Sequence, residues 1–316
     1  MNLQHSSYKK FPLSLLTLMP LILVSFNCAA RINVFACEPE WQALANELGG
    51  DKITSFSATT GMQDPHQVQA RPSLISKMRK TDLLICSGAD LEVGWLPVLL
   101  RRASNGKLQA NKPGYFFAAN HVKLLGIPKL IDRSQGDVHA AGNPHVQSNP
   151  KNISRIAIAL VERMKIIDPT NANYYQARTD EFLSRWKIAL RKWNKQVRAI
   201  KGEAIVVQHA NWDYLVDFAK LTQVATIEEK PGIPATSGHL AALVKQLKNS
   251  PAKIVIRAAY QDERASNWLA KRSGLTSVVL PFTVGGSDQA TDLFSLYDQT
   301  FTLLVDSISS HQLQES

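Results

Sequence analysis

TNANYYQARTDEFLSRWKIALRKWNKQVRAI, residues 170–200, decides the architecture. No glycine or proline interrupts it, and Tyr174, Ala177, Phe182, Trp186, Ala189, Leu190 and Trp193 recur at three- and four-residue intervals. That is the period of a single apolar helix face. About thirty residues of helix would run ~45 Å, the span of a small domain. The segment therefore reads as a strut between two lobes. Two ordinary helices broken near Lys187 would carry a similar pattern.

On the N-terminal side of this strut, Ile32 to Cys37 (INVFAC), Ile53 to Ala58 and Leu83 to Cys86 are short apolar runs of strand length. Between them, Trp41 to Leu48 and Ser73 to Arg79 have helical spacing, and Gly49-Gly50 stops the first helix. Gln147 to Lys165 is a further helix, with Asn149 as its cap and Pro150 in its first turn. Beyond Gly202 the alternation resumes. Strands are expected at Ala204 to Gln208, Val224 to Ile227, Ile254 to Ile256 and Val278 to Leu280. Helices are expected at Trp212 to Leu221, His239 to Leu247, Arg264 to Lys271 and Asp292 to Ser307. Strand–helix alternation points to parallel βαβ units. The fold class is α/β: two lobes, each a mainly parallel sheet flanked by helices, joined by one long rigid helix. The lobes are expected over 31–168 and 202–316, with the linking helix over 169–201.

The first thirty residues stand apart. Lys9-Lys10 precede a largely apolar run, Phe11 to Phe26, and Cys28-Ala29-Ala30 supplies small residues for cleavage. This is the layout of a secretory signal peptide, and about sixteen apolar residues fall short of the roughly 20 that a membrane span needs. An uncleaved anchor is the alternative. A lipoprotein signal at Cys28 is opposed by the bulky and polar Ser25-Phe26-Asn27. Loss of residues 1–30 removes two lysines and no acid, so the net charge of +10 becomes +8. The bases that remain, such as Arg178, Arg185, Lys187, Arg191, Lys192 and Lys195, spread along helices. They do not cluster among aromatics, which argues against nucleic acid. Cys37 and Cys86 are then an even pair in an oxidising compartment, where a disulfide is expected over two buried thiols.

Eight histidines occur, and three fall where a sheet edge would present them. His66 lies in QDPH, His145 in the Gly/Pro-rich GNPH, and His209 directly after the strand AIVVQ. Ligands of open α/β sheets bind at the carboxyl edge, and neutral imidazole is the commonest nitrogen ligand of zinc. A cation between the lobes would be held by His66 and His145 from one and His209 from the other. His139 competes with His145 as the first-lobe ligand. His121, His239 and His311 have the look of exposed or helix-opening residues. Phe35, Trp41, Trp212 and Tyr214 lie near these motifs and would exclude water from the cleft, or pack in the core.

DPHQVQARPS (64–73), GNPHVQSNPKN (142–152) and QHANWDYL (208–215) resemble, in order and spacing, the cluster A-I or TroA-like, ZnuA-like metal-binding proteins of zinc and manganese ABC importers. The resemblance covers essentially the whole mature chain. It implies His66, His145 and His209 as ligands in an interlobe cleft. It also implies a periplasmic solute-binding protein, expected to be monomeric, that hands its cation to an ABC transporter membrane permease. Family members often add an acidic ligand after the last strand of the second lobe. Here LPFTVGG (280–286) has no acid, so Asp288 a little further on, a water, or an acid elsewhere such as Glu38 is left to fill that place. The His- and Asp-rich loop common in zinc members is absent or reduced, since residues 112–142 hold only His121 and His139. Asn143 and Asn149 stand where acids often occur. Imidazoles with few carboxylates favour Zn2+ over Mn2+, which prefers oxygen donors. A secreted three-histidine zinc hydrolase would use a similar layout, but no HExxH is present and only Asp64 flanks a candidate histidine. A metal-binding surface adhesin of the same fold is a third reading.

Overall fold

The structure is a computed structural model that describes residues 31–128 and 136–315, together with Met1 and Leu3. Apart from those two residues, the expected signal peptide lies outside the described residues. Among the described residues no helix is long and apolar enough to cross a membrane.

The first lobe runs β1 (Ile32–Ala36), α1 (Pro39–Gly49), β2 (Ile53–Ser57), α2 (Pro72–Arg79), β3 (Leu83–Cys86), α3 (Leu96–Ala103), β4 (Tyr115–Phe117) and α4 (Pro150–Ile167). Its four strands pair in parallel in the order β2-β1-β3-β4. Then comes α5 (Ala172–Gln196), closed by a 3-10 turn over Val197–Ile200. The second lobe runs β5 (Ala204–Val207), α6 (Asp213–Ala219), β6 (Thr222–Thr226), α7 (Ser237–Leu247), β7 (Ala252–Ala258), α8 (Arg264–Ser273), β8 (Thr276–Leu280) and α9 (Leu293–Glu315). Its strand order, β6-β5-β7-β8, repeats that of the first lobe, again all parallel. Parallel sheets are covered on both faces, and every residue of β3 (LLIC) and β5 (AIVV) is accordingly buried.

Each sheet reverses its winding at its middle pair, β1 beside β3 and β5 beside β7. Loops leaving such neighbours diverge and open a crevice at the carboxyl edge. Cys37 and Cys86 lie at that edge of the first sheet, with Cα atoms 4.8 Å apart, and form a disulfide.

The linking helix is unbroken at Lys187 and, at 25 residues, about 37 Å long by its 1.5 Å rise. Its buried face is Tyr175, Thr179, Phe182, Trp186 and Trp193. The apolar stripe thus begins at Tyr175. The hydroxyl of Tyr174 instead turns outward to Asp51, donating to its carboxylate. Trp186 and Trp193 meet edge to face at 5.0 Å, and both contact Tyr297 of α9. Through these rings one continuous apolar core runs from Ile32 and Leu83 of the first sheet to Ile254 and Ile308 of the second lobe. Separate clusters fill the outer face of each sheet, against α2 and α3 in one lobe and α7 and α8 in the other. Phe35 belongs to the first of these clusters and faces away from the cleft.

Candidate metal centre

His66 is carried by a tight turn after β2. The Asp64 carboxylate accepts from the His66 backbone N–H at 3.0 Å and from its ring Nδ1 at 2.8 Å. The Trp95 indole pins the turn by donating to the Pro65 carbonyl at 3.0 Å. Nε2 of His66 is thereby left facing inward, 3.3 Å from Nε2 of His139.

His145 sits ahead of α4, in a segment braced against the other lobe. The Asn143 amide donates to the Ala210 carbonyl and to the Asp213 carboxylate, both at 3.0 Å, and its oxygen accepts from the His145 N–H. Tyr214 adds a hydrogen bond to the Asn143 carbonyl at 2.8 Å. Asn149 caps α4 by accepting from Lys151 N–H, with Pro150 in the first turn, as the sequence leads one to expect. His209 follows β5 at the crevice, and its Nδ1 is 2.6 Å from the Glu228 carboxylate.

The structure therefore brings three imidazoles within ligand distance of one another and sets a fourth, His209, beside them. Ligand nitrogens of His66, His139 and His145 all lie within 4.8 Å of one another. The His209 ring is centred 5.8 Å from that of His66 and 6.4 Å from that of His145. His139 and His145 were alternatives in the sequence; the fold brings both to the cleft. Two nitrogens bound tetrahedrally at 2.0–2.1 Å would be about 3.3–3.4 Å apart, which is the His66–His139 spacing. Nδ1 of both His66 and His209 rests on a carboxylate, the arrangement that fixes the tautomer and aims Nε2 at a cation.

Electrostatics suit a cationic guest. Burial, with His66 and His209 beside it, lowers His139 to about 4. Burial and the same neighbours hold His145 well below the ordinary histidine range. Both rings are neutral at pH 7 and offer lone pairs. Burial raises Asp64, but its hydrogen bonds with His66 outweigh this and lower its carboxyl below the usual range.

Other expected residues lie elsewhere. Asp288 is exposed, past the turn at Gly285 and Gly286, and is not among the mutually close ligand groups. The turn carries its carboxylate to the surface. Glu38 is buried and lines a small cavity with His145, Glu40 and Gln147. His121 is half-buried and stacks on Phe116 at 4.6 Å, and half-buried His239 lies in the first turn of α7. Phe282, which no motif marked, packs edge-on to His145 at 5.2 Å and to Trp212 at 5.1 Å. Glu228 was likewise missed, because nothing in a single sequence ties it to a histidine nineteen residues away.

The lobes approach closely beside this site. A Cβ placed on Gly61, in the loop after β2, would fall 2.2 Å from the Gly285 carbonyl carbon and 2.3 Å from the Gly286 nitrogen. The Thr283 hydroxyl crosses the same boundary to donate to the buried Glu40 carboxylate.

Two parallel α/β lobes, joined by one helix and meeting on a cleft, define a two-lobed protein of the solute-binding class. More particularly, residues 34–307 match the family of ZnuA, described as zinc-uptake complex component A, periplasmic, and the chain belongs to that family. The metal ABC transporter substrate-binding lipoprotein SloC of Streptococcus mutans is 23% identical over 298 residues, covering 89% of this chain and 94% of its own length. The manganese ABC transporter substrate-binding lipoprotein PsaA of Streptococcus pneumoniae is 22% identical, covering 84% of this chain and 85% of its own. The zinc-binding lipoprotein AdcA of the same species is 22% identical over 86% of this chain and 55% of its own length. A crystal structure of ZnuA has a TM-score of 0.74 at 18% identity, covering 88% of this chain and 99% of that one. A periplasmic metal binding protein from Candidatus Liberibacter asiaticus has a TM-score of 0.70 at 14% identity, covering 88% and 100%. At these identities the structural likeness speaks for the fold alone.

Proposed function

We propose that this chain is an exported solute-binding protein that captures Zn2+ between lobes 31–168 and 202–316 and delivers it to the permease of an ABC-type importer. His66, His139, His145 and His209 are the ligands in this reading. The observation that carries it is the 3.3 Å spacing of the His66 and His139 Nε2 atoms, with a His145 nitrogen in the same close group and the His209 ring centred 5.8 Å from that of His66. Four imidazole nitrogen donors favour zinc over manganese, although two of the relatives above are named for manganese or for metal in general. The family membership and the names of its relatives support delivery to a membrane permease and placement outside the cytoplasm. The segment at residues 1–30 would direct the export, and the mature protein would act as a monomer.

A binding role fits better than hydrolysis. The two carboxylates hydrogen-bonded to these imidazoles, Asp64 and Glu228, are each committed to an Nδ1. Four imidazoles around one ion leave no place for the activated water that a zinc hydrolase needs.

Isothermal titration with zinc tests the ligand set. Ala at His66, His139, His145 or His209 should weaken binding by at least tenfold, and Ala at His121, His239 or His311 should not. Equal affinity across all seven variants ends the reading.

A further inference from the structure

Three of the four imidazoles have an outer partner: Asp64 for His66, Glu228 for His209 and the Asp90 backbone for His139. His145 is different. It is fully buried, and neither of its ring nitrogens has a hydrogen-bond partner. It borders two spaces. One is also lined by His139 and His209. The other is a cavity of about 10 Å³ lined by Glu38, Glu40, Gln147, Phe282 and Thr283 among others. Because the two nitrogens lie on opposite sides of an imidazole, one can face the cluster only while the other faces away from it.

Two residues that line this second cavity carry further orphaned atoms: Oε1 of Glu38 and Oε1 of Gln147 are both buried without partners. A single buried water needs roughly 10–15 Å³ and two to four polar partners. Cavity size and the three orphaned groups match that requirement.

We propose that Glu38 is the outer partner of His145, acting through one buried water that it shares with Gln147. The water accepts the proton on the outward nitrogen of His145 and donates its own two hydrogens to Glu38 Oε1 and Gln147 Oε1. All three orphaned groups are then satisfied, and the inward nitrogen keeps its lone pair for the cation. Glu38 is itself held in place. Ser87 Oγ donates to its Oε2 at 3.2 Å and accepts from the Trp41 indole at 2.9 Å. Burial, with Glu92 and Glu40 beside it, pushes the Glu38 carboxyl well up, and a carboxyl retains an acceptor oxygen in either protonation state. Glu38 is a positioning residue and stays off the metal.

The assignment rests on His145 being a ligand, and the experiment separates the two claims. Zinc-loaded protein labelled with 15N-histidine is read by long-range 1H–15N correlation, and zinc affinity is titrated in parallel. His145 should show one metal-bound nitrogen and one protonated nitrogen whose proton exchanges slowly. Glu38→Leu and Gln147→Leu should each speed that exchange and weaken zinc binding about 10–100-fold, as losses of outer partners do, while Glu38→Gln, which keeps an acceptor oxygen, stays within about threefold. Unchanged exchange and affinity in both leucine variants overturn the proposal, as does a Glu38→Gln variant as weak as Glu38→Leu. Should Glu38→Leu fail to fold, Gln147→Leu and the wild-type spectrum decide. Wild-type affinity in His145→Ala would instead remove the ligand assignment on which the proposal stands.

Discussion

Replacing Gly61 with Ala tests how the lobes hold the imidazoles in register. The added Cβ would lie 2.2 Å from the Gly285 carbonyl carbon, 2.3 Å from the Gly286 nitrogen and 2.5 Å from the Gly285 oxygen. Ordinary contact begins near 3.4 Å, so the two loops must part by about 1 Å. The obstacle is backbone on both sides, and no flexible side chain can yield. Overpacking of this kind costs about 1–3 kcal/mol, which lowers Tm by about 2–4 °C per kcal/mol for domains of 150–250 residues. The loop that moves leads into Asp64 and His66, while Zn–N bonds tolerate only about 0.2 Å of error. A shift several times larger should weaken zinc binding at least tenfold. Scanning calorimetry without metal and isothermal titration with zinc measure the two effects. A variant that matches the wild type in both refutes the close approach as a determinant of the site.

Other outcomes follow from the packing and the charges. Trp186→Ala removes a fully buried ring that stacks on Phe182 and donates to the Pro150 carbonyl; it should cost about 3–5 kcal/mol in urea unfolding. Glu40 and Glu92 are both raised to about 7, mainly by burial. The folded state therefore holds their protons more tightly than the unfolded chain does. Their contribution to stability is complete below about pH 4.5 and is lost as pH rises through about 7. Burial lowers His139 to about 4 and His145 well below the usual histidine range, so these rings oppose the carboxyl effect up to about pH 6.5. The metal-free Tm should therefore fall between about pH 7 and 8, less steeply in Glu40→Gln, and equal slopes would contradict this. The disulfide closes a loop with a sequence separation of 49, so Cys37→Ser/Cys86→Ser should lose up to about 4 kcal/mol on the loop-entropy account, measured by urea unfolding.

Much of this was legible in the chain because its signals are local. β3 is Leu83–Cys86, as its apolar run predicts, and the Asn149-Pro150 start of α4 follows from capping chemistry alone. α3 and β4 escaped notice. α3 is only eight residues, Leu96–Ala103, and β4 only three, Tyr115–Phe117, too short for a period to show. Within the site, His66, His145 and His209 were marked by their place at helix entries and strand ends. That His139 joins His145, where one seemed to exclude the other, depends on how a loop folds back, and no spacing rule encodes that. Asp288 lies exposed, away from the close imidazoles, for the same reason: proximity in sequence to the last strand does not fix which way a glycine turn sends a carboxylate. Outer partners such as Glu228 are invisible until β5 and β6 are laid side by side.

The aromatic spine of α5 bears on how cargo is exchanged. Because Trp186 and Trp193 are shared between the two halves, swinging one half away from the other would bring indole surface into water. Large buried aromatics dominate the energetics of such interiors, so a wide opening is opposed by the very groups that hold the molecule together. Neither His66 nor His139 belongs to that spine. A wide parting of the halves is therefore the costly route to letting an ion go, and movement confined to loops outside the aromatic spine is the cheaper one.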